Sequence, residues 1–141
     1  MCKASEVGKI VVNKCLERTL SINTQKLQKL LVLIQVECIQ KSKQPLFSED
    51  IRVWDCGVAI KEVDTDFRSY GTAFSEILEE KIILLDSEKE YIDDILNRYG
   101  NLSASELNNL SVNQKVISLG VIREHDSIPH ITAEQLVKEF A

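Results

Sequence analysis

The sequence predicts a mainly α-helical, single-domain chain: a helical bundle around a central apolar helix, with a short strand or hairpin near residues 51–60. Three observations support this. Apolar residues recur at helical spacing in several segments. Three Ser/Thr-x-x-Glu/Gln sequences match the capping box that begins many helices. Finally, a chain of 141 residues buries roughly 68% of its unfolded-state surface, which is enough for one core.

The first two predicted helices contain the most regular apolar patterns. One runs from about Ser5 to Arg18 and has a single apolar stripe. Asn23 is a favourable N-cap for the second, which runs over Thr24–Gln40. This second helix is apolar around most of its circumference, which is typical of a helix with neighbours on all sides. We therefore expect it to be the central helix.

The segment after the second helix is predicted to be extended. Pro45 disfavours helical geometry at the residue before it, and so ends the helix. From Ile51 onward apolar and charged residues alternate, and Gly57 interrupts the run, which predicts a short strand or hairpin. A short helix over Lys61–Tyr70 follows, with Gly71 at its C-terminal end.

The second half of the chain is predicted to be helical as well. Residues 73–85 form either one helix or a helix followed by a short strand. Three capping-box sequences then mark helix starts at Ser87, Ser103 and Thr132. Gly100 ends the first of these helices.

Charge and apolar run lengths exclude several classes of protein. The chain has 17 Lys and Arg against 22 Asp and Glu, a net charge of -5, which argues against a general nucleic-acid binder. No apolar run reaches the roughly 20 residues of a membrane span, and the first residues lack the pattern of a signal peptide. We therefore expect a cytoplasmic protein whose four cysteines are reduced and serve mostly as small apolar residues.

Patterns for catalysis or metal binding are scarce. The two histidines, His125 and His130, supply too few ligands for a zinc site, and we expect both to face solvent in a loop. The sequence contains no G-x-S-x-G and no glycine-rich phosphate loop. We therefore predict no catalytic, cofactor-binding or metal-binding residues, and no enzymatic activity.

One pair of motifs points to a family. K-L-Q-K-L-L at residues 26–31 is followed by Phe47 and by I-R-V-W-D-C-G at residues 51–57. Together they resemble the Panacea domain family of SocA-like and GepA-like phage-associated proteins. That family's pattern reads K-L-Q-K-L-L and then G-x-P-x-F-x-x-x-I-x-A-W-x-x-G-P-V. Weaker similarity, at R-S-Y-G over residues 68–71 and in the closing helix, extends the resemblance to nearly the whole of residues 1–141.

The resemblance implies a function. Members of this family are helical antitoxins of bacteria, phages and mobile elements that bind and neutralise diverse toxins, and SocA delivers a toxin to a protease. It implies that this chain is a non-enzymatic module that binds a toxin or effector protein, with a protease as a further partner if it acts as an adaptor. Two alternatives are an inhibitor of a host defence system and a DNA-binding co-regulator that uses its basic helix face.

The candidate partner-binding residues come from the two motifs and lie in two places, the segment Phe47–Lys61 and an exposed face of the second helix. They are Lys26, Gln28, Lys29, Phe47, Trp54, Gly57 and Lys61.

Each type of residue in this set has a physical role. A tryptophan such as Trp54 either dominates an interface or anchors a loop, and Gly57 permits a positive φ angle. Lys26 and Lys29 share a helix face and must point at solvent, a buried acid or a partner. Gln28 is a candidate hydrogen-bond donor to a neighbouring loop, such as the Trp54 segment.

The chain also departs from the family pattern. Gly57-Val58-Ala59 lacks the proline of G-P-V. Residues 111–117 replace T-H-x-x-x-P-W, so that the histidine, the proline and the tryptophan are all absent. Aliphatic residues stand there instead, which fits either a changed partner surface or a core that packs differently.

Overall fold

The computed structural model describes residues 1–70, 73–123 and 126–141. This part of the chain is mainly helical, as predicted, with one small antiparallel sheet. The helices are α1 (Ala4–Glu17), α2 (Thr24–Ser42), α3 (Lys61–Phe67), α4 (Asp86–Tyr99), α5 (Ala104–Asn108), α6 (Ser111–Ser118) and α7 (Ala133–Phe140). The strands are β1 (Ile51–Trp54), β2 (Gly57–Ala59), β3 (Val121–Arg123) and β4 (Asp126–Ile131).

The sheet joins two hairpins that are distant in sequence. Its strand order is β2-β1-β4-β3, and each neighbouring pair is antiparallel. The predicted hairpin near residues 51–60 is confirmed, with Arg52 opposite Ala59 and Trp54 opposite Gly57. The second hairpin was not predicted. His130 lies in β4 and is 4% exposed, so the expectation of a solvent-facing loop is wrong for this residue, and His125 lies outside the described residues.

Helix α2 is buried along most of its length. The side chain of Asn23 accepts a hydrogen bond of 2.8 Å from the Lys26 backbone N–H, which confirms the predicted N-cap. The helix packs against α1, α3, α4, α5, α6, α7 and β2. Every residue from 26 to 39 is buried, so the expected exposed face is absent from this stretch of α2.

Buried polar groups in α2 hold the loops around it. The Gln35 side chain accepts hydrogen bonds from the backbone N–H groups of Leu46 and Phe47, at 2.8 and 3.2 Å. It also donates to the Phe47 carbonyl at 2.7 Å. Because unpaired polar groups are costly in a core, one fully buried amide fixes the path of the chain after α2.

Residues 73–85, which we call the strap, contain neither the predicted helix nor the predicted strand. Tertiary contacts replace regular structure there. The buried Asn13 amide binds both backbone groups of Leu78, at 2.7 and 2.8 Å. Phe74 and Leu84 are buried as apolar anchors. The helical prediction failed because these non-local contacts outweigh local helix propensity.

The helix starts were predicted with one error. Capping boxes at Ser103 and Thr132 are present, so those two predictions are confirmed. The predicted N-cap at Ser87 is wrong, because α4 begins at Asp86 and its N-cap lies two residues before Ser87. The carboxylate of Glu88 accepts a 2.8 Å hydrogen bond from the Leu85 N–H, which makes Leu85 the N-cap. The helix ends at Gly100, as expected.

Two further predictions concern the helix after the hairpin and the absence of a membrane-spanning segment. The helix expected over Lys61–Tyr70 is present as α3 followed by a 3₁₀ turn at Arg68–Tyr70, while Gly71 lies outside the described residues. No helix within the described ranges is both long enough and apolar enough to cross a lipid bilayer.

Replacing Gln35 with alanine tests the role of this buried amide. Gln35→Ala leaves three backbone groups near Phe47 without partners, so we expect the free energy of unfolding to fall by about 2–4 kcal/mol. Urea unfolding followed by circular dichroism measures the loss. Gln40→Ala, at an exposed position of the same helix, is the control. Equal losses in the two variants would contradict the assignment.

Candidate partner-binding site

The β1–β2 hairpin places Trp54 at its tip. Trp54 is the last residue of β1 and lies opposite Gly57, which has a φ angle of 105°. The Asn108 side chain, from α5, accepts a hydrogen bond of 3.1 Å from the Val58 N–H. A methyl group at Gly57 would overlap this Asn108 amide. Glycine is therefore needed here both for its backbone angle and for the close approach of α5.

Two side chains of α2 hold the outgoing strand of the hairpin. Gln28 accepts from the Ile60 N–H at 2.8 Å and donates to the Ile60 carbonyl at 3.2 Å. The ammonium group of Lys29 donates to the Val58 carbonyl at 3.0 Å. The expectation that Gln28 donates a hydrogen bond to a neighbouring loop such as the Trp54 segment is therefore confirmed, and Ile60 of that segment is the partner. In this way the K-L-Q-K motif fixes the position of the hairpin.

The two motif lysines bind backbone carbonyls inside the protein. Lys26 donates to the carbonyls of Ser21 and Gly100, at 2.8 and 2.6 Å. Burial lowers the pKa of Lys26. It also lowers the pKa of Lys29, an effect that the nearby Cys56 thiol partly opposes. Neither lysine therefore meets the expected solvent, buried acid or partner. Lys26 bonds one loop carbonyl and one carbonyl at the end of α4, and Lys29 bonds a strand carbonyl.

The seven candidate residues therefore differ in position. Gln28, Lys29 and Gly57 converge on the hairpin, while Lys26 lies apart from them. Phe47 is fully buried and forms a backbone bridge to Cys2. Of these seven residues, only Trp54 and Lys61 have side chains that a partner could reach.

Trp54 borders a concave surface of the sheet. A cavity of about 360 Å³ lies beside Trp54, between the end of β1 and β4. It is lined by Val53, Trp54, Asp55, Ser127, Ile128 and Pro129. The Trp54 indole N–H is shielded from solvent and has no hydrogen-bond partner within the described residues. We call these six residues the tryptophan surface.

The chemistry of this surface suits binding. Asp55 and Cys56 are exposed at the hairpin tip, next to the partly exposed indole of Trp54. Across the described ranges, no three His, Cys, Asp or Glu side chains are grouped so that they could hold a metal ion. The surface therefore offers an aromatic face, a cavity and one carboxylate, which can accept a side chain of another protein.

The departures from the family pattern lie mostly inside the protein. Val58 and Val116 are fully buried. Val112 and Ile117 are partly buried and pack against the same core. The burial of these positions favours the first of two interpretations, a core that packs differently from that of the family. It does not favour the second, a changed partner surface.

Sequence reasoning missed part of the site. Asn108 and the β4 residues Ser127, Ile128 and Pro129 reach Trp54 only through the fold. Asn108 lies 50 residues from its hydrogen-bond partner Val58, and no local pattern in the sequence connects the two. The unpredicted β3–β4 hairpin supplies the other three residues.

Comparison with known proteins gives one result. A family model described as antitoxin SocA-like, Panacea domain, matches residues 27–116. This range begins in α2 and ends in α6, and it includes Trp54 and the side chains that hold its hairpin. No curated protein and no solved structure matches the chain significantly.

Gly57→Ala tests the packing behind the tryptophan surface. The added methyl group meets Asn108, and alanine disfavours the positive φ angle. We therefore expect the free energy of unfolding to fall by about 1–3 kcal/mol. Urea unfolding followed by the fluorescence of the single tryptophan measures it. Because Asn108→Gly removes the overlap but also the hydrogen bond to Val58, the double variant Gly57→Ala/Asn108→Gly should lose less stability than the sum of the two single variants. Wild-type stability in Gly57→Ala would contradict this description.

Lys29 gives the protein a specific dependence on pH. Its pKa in the folded protein lies below the 10.5 of an ordinary lysine. Between these two values the unfolded chain holds a proton that the folded chain lacks, so stability rises with pH. We therefore expect the free energy of unfolding of the wild type to increase relative to Lys29→Met as pH rises from neutral toward 10.5.

Urea unfolding at several pH values checks this expectation. Lys61→Met, which removes the same charge from an exposed position, is the control for the loss of one positive charge. Parallel curves for Lys29→Met and the wild type would show that Lys29 keeps its ordinary titration.

Proposed function

The chain belongs to the SocA-like Panacea antitoxin family, and we propose that it is a non-enzymatic, antitoxin-like module that neutralises a toxin or effector protein by binding it directly. The observation that supports this most is the tryptophan surface. It presents a partly exposed aromatic side chain beside a cavity, on a hairpin that the family match includes. Aromatic anchors of this kind dominate the energetics of many protein interfaces.

The rigidity of the hairpin supports the same proposal. Gln28 and Lys29 fix the backbone of residues 58–60 through buried hydrogen bonds, and Asn108 adds a partly buried one at Val58. A surface that is ordered before binding loses little conformational entropy when a partner arrives. In this proposal the buried residues position the hairpin, while Trp54 and the exposed Lys61 contact the partner. Binding then blocks the partner sterically.

We propose further that the whole of residues 1–141 acts as one such domain. Segments on both sides of the matched range pack against it. α1 contacts α2 and α3, β4 pairs with β1, and α7 contacts α2. An extension of this function, in which the bound toxin is handed to a protease, needs the same complex as its first step.

The alternatives receive less support. The DNA-binding alternative relied on a basic face of the second helix, and two of its lysines, Lys26 and Lys29, are buried against backbone carbonyls. Inhibition of a host defence system would use the same surface against another protein. It differs from the proposal only in the identity of the partner.

The test combines capture with function. Tagged wild type and Trp54→Ala are used to capture proteins from the native host, and the protein that co-purifies in stoichiometric amount is identified by mass spectrometry. That protein is then expressed with either variant. We expect it to stop growth when expressed alone, growth to recover with the wild type, and recovery to be lost with Trp54→Ala, because the aromatic anchor is gone.

Two controls make the result decisive. Circular dichroism establishes that Trp54→Ala is folded, and Tyr91→Ala removes another partly exposed aromatic side chain, on α4, without touching the hairpin. Capture of no toxic protein would contradict the proposal. Full growth recovery with folded Trp54→Ala would contradict the placement of the interface at Trp54.

A further inference from the structure

We propose that the strap, residues 73–85, is a second docking surface, and that its occupant is a basic protein segment in which aliphatic side chains are flanked by lysine or arginine. The inference deepens the proposed function, since it names the chemistry of a partner. It concerns a different part of the molecule from the tryptophan surface and depends on different residues.

Aliphatic side chains on and beside the strap are unusually exposed. Ile83 is 94% exposed, Ile77 63% and Leu85 67%. Single exposed aliphatic residues are common on protein surfaces. Here three lie within nine residues of one segment, a local concentration of exposed apolar side chains of the kind found at sites of protein interaction.

The strap holds these side chains in place without regular secondary structure. Its backbone is bound at Leu78 by the buried Asn13 amide, and its ends are anchored by Phe74 and Leu84. Long connections without secondary structure are uncommon in compact proteins and are often binding loops. Because the strap is already fixed to α1, a partner would not have to order it.

The charge around the strap identifies the kind of partner. Residues 62–94 contain 11 of the 22 acidic side chains but three of the 17 basic ones. Glu76, Glu79, Asp86 and Glu90 are exposed and form no ion pair within the described ranges. These carboxylates flank the exposed aliphatic residues in sequence, so the surface attracts a segment with positive charges around apolar side chains.

A cavity beside the strap offers room for an apolar side chain. It measures about 340 Å³ and is lined by four apolar residues, Ile10, Ile82, Ile83 and Leu84, and by four charged ones, Glu17, Glu80, Lys14 and Lys89. An aliphatic side chain can enter between the isoleucines, while a neighbouring lysine or arginine meets the carboxylates. A second copy of this chain is a poor occupant, because two acidic straps would repel each other.

The experiment uses a phage-displayed library of random dodecapeptides, panned on the immobilised full chain. We expect a consensus of aliphatic residues flanked by lysine or arginine. A synthetic consensus peptide is then titrated calorimetrically against the wild type and Ile77→Ser/Ile83→Ser. The double variant should bind about tenfold or more weakly, because its apolar contacts are lost.

Two further variants isolate the contributions. Ile122→Ser removes an aliphatic side chain of similar exposure, 64%, from β3, and should bind like the wild type. Raising salt from about 50 mM to about 500 mM should weaken the wild-type complex by screening. Glu76→Gln/Glu79→Gln should bind more weakly at low salt and respond less to added salt.

The outcomes separate this inference from the proposed function. A library that yields no consensus, or one without basic residues, overturns the docking surface, as does a peptide that Ile77→Ser/Ile83→Ser binds as tightly as the wild type. These results do not depend on any toxin being captured. Conversely, failure to capture a toxin contradicts the proposed function. The peptide experiment then still decides whether the strap is a docking surface.

Discussion

Burial of α2 on nearly all sides sets the condition that the rest of the structure must meet. A helix in this position has to satisfy its polar side chains inside the protein, because an unpaired amide or ammonium group in a core costs several kcal/mol. Lys26, Gln28, Lys29 and Gln35 meet this condition by bonding backbone groups of neighbouring segments. Each bond satisfies α2 and at the same time fixes a neighbouring segment: the β1–β2 hairpin and the residue after it, the chain after α2, or the end of α4.

This constraint separates positioning residues from contacting residues. Gln28 and Lys29 belong to the motif that resembles the family, yet they are buried and act on the surface only through the hairpin. Their hydrogen bonds fix the hairpin, and the hairpin in turn places Trp54 at the surface. Under the proposed function, substitution within the motif alters binding through the position of the hairpin, whereas substitution of Trp54 removes the proposed contact itself.

The hairpin and the strap are held by the same physical device. In each case a buried amide from a helix, Gln28 in α2 or Asn13 in α1, bonds both backbone groups of one residue in a neighbouring segment. Such a clamp allows an irregular segment to be rigid. In the strap, the clamp also leaves Ile77 and Glu79, on either side of Leu78, exposed to solvent.

The sequence by itself determined the mainly helical class, the first two helices, the β1–β2 hairpin and two of three capping boxes. These features depend on local periodicity, capping and turn chemistry, which nearby residues encode. The motif residues likewise identified the family. Tertiary structure decided that the motif lysines are internal, that residues 73–85 are an irregular strap, and that β4 and Asn108 complete the surface at Trp54. These outcomes depend on partners tens of residues away, such as Asn13 for Leu78, and local pattern does not encode them.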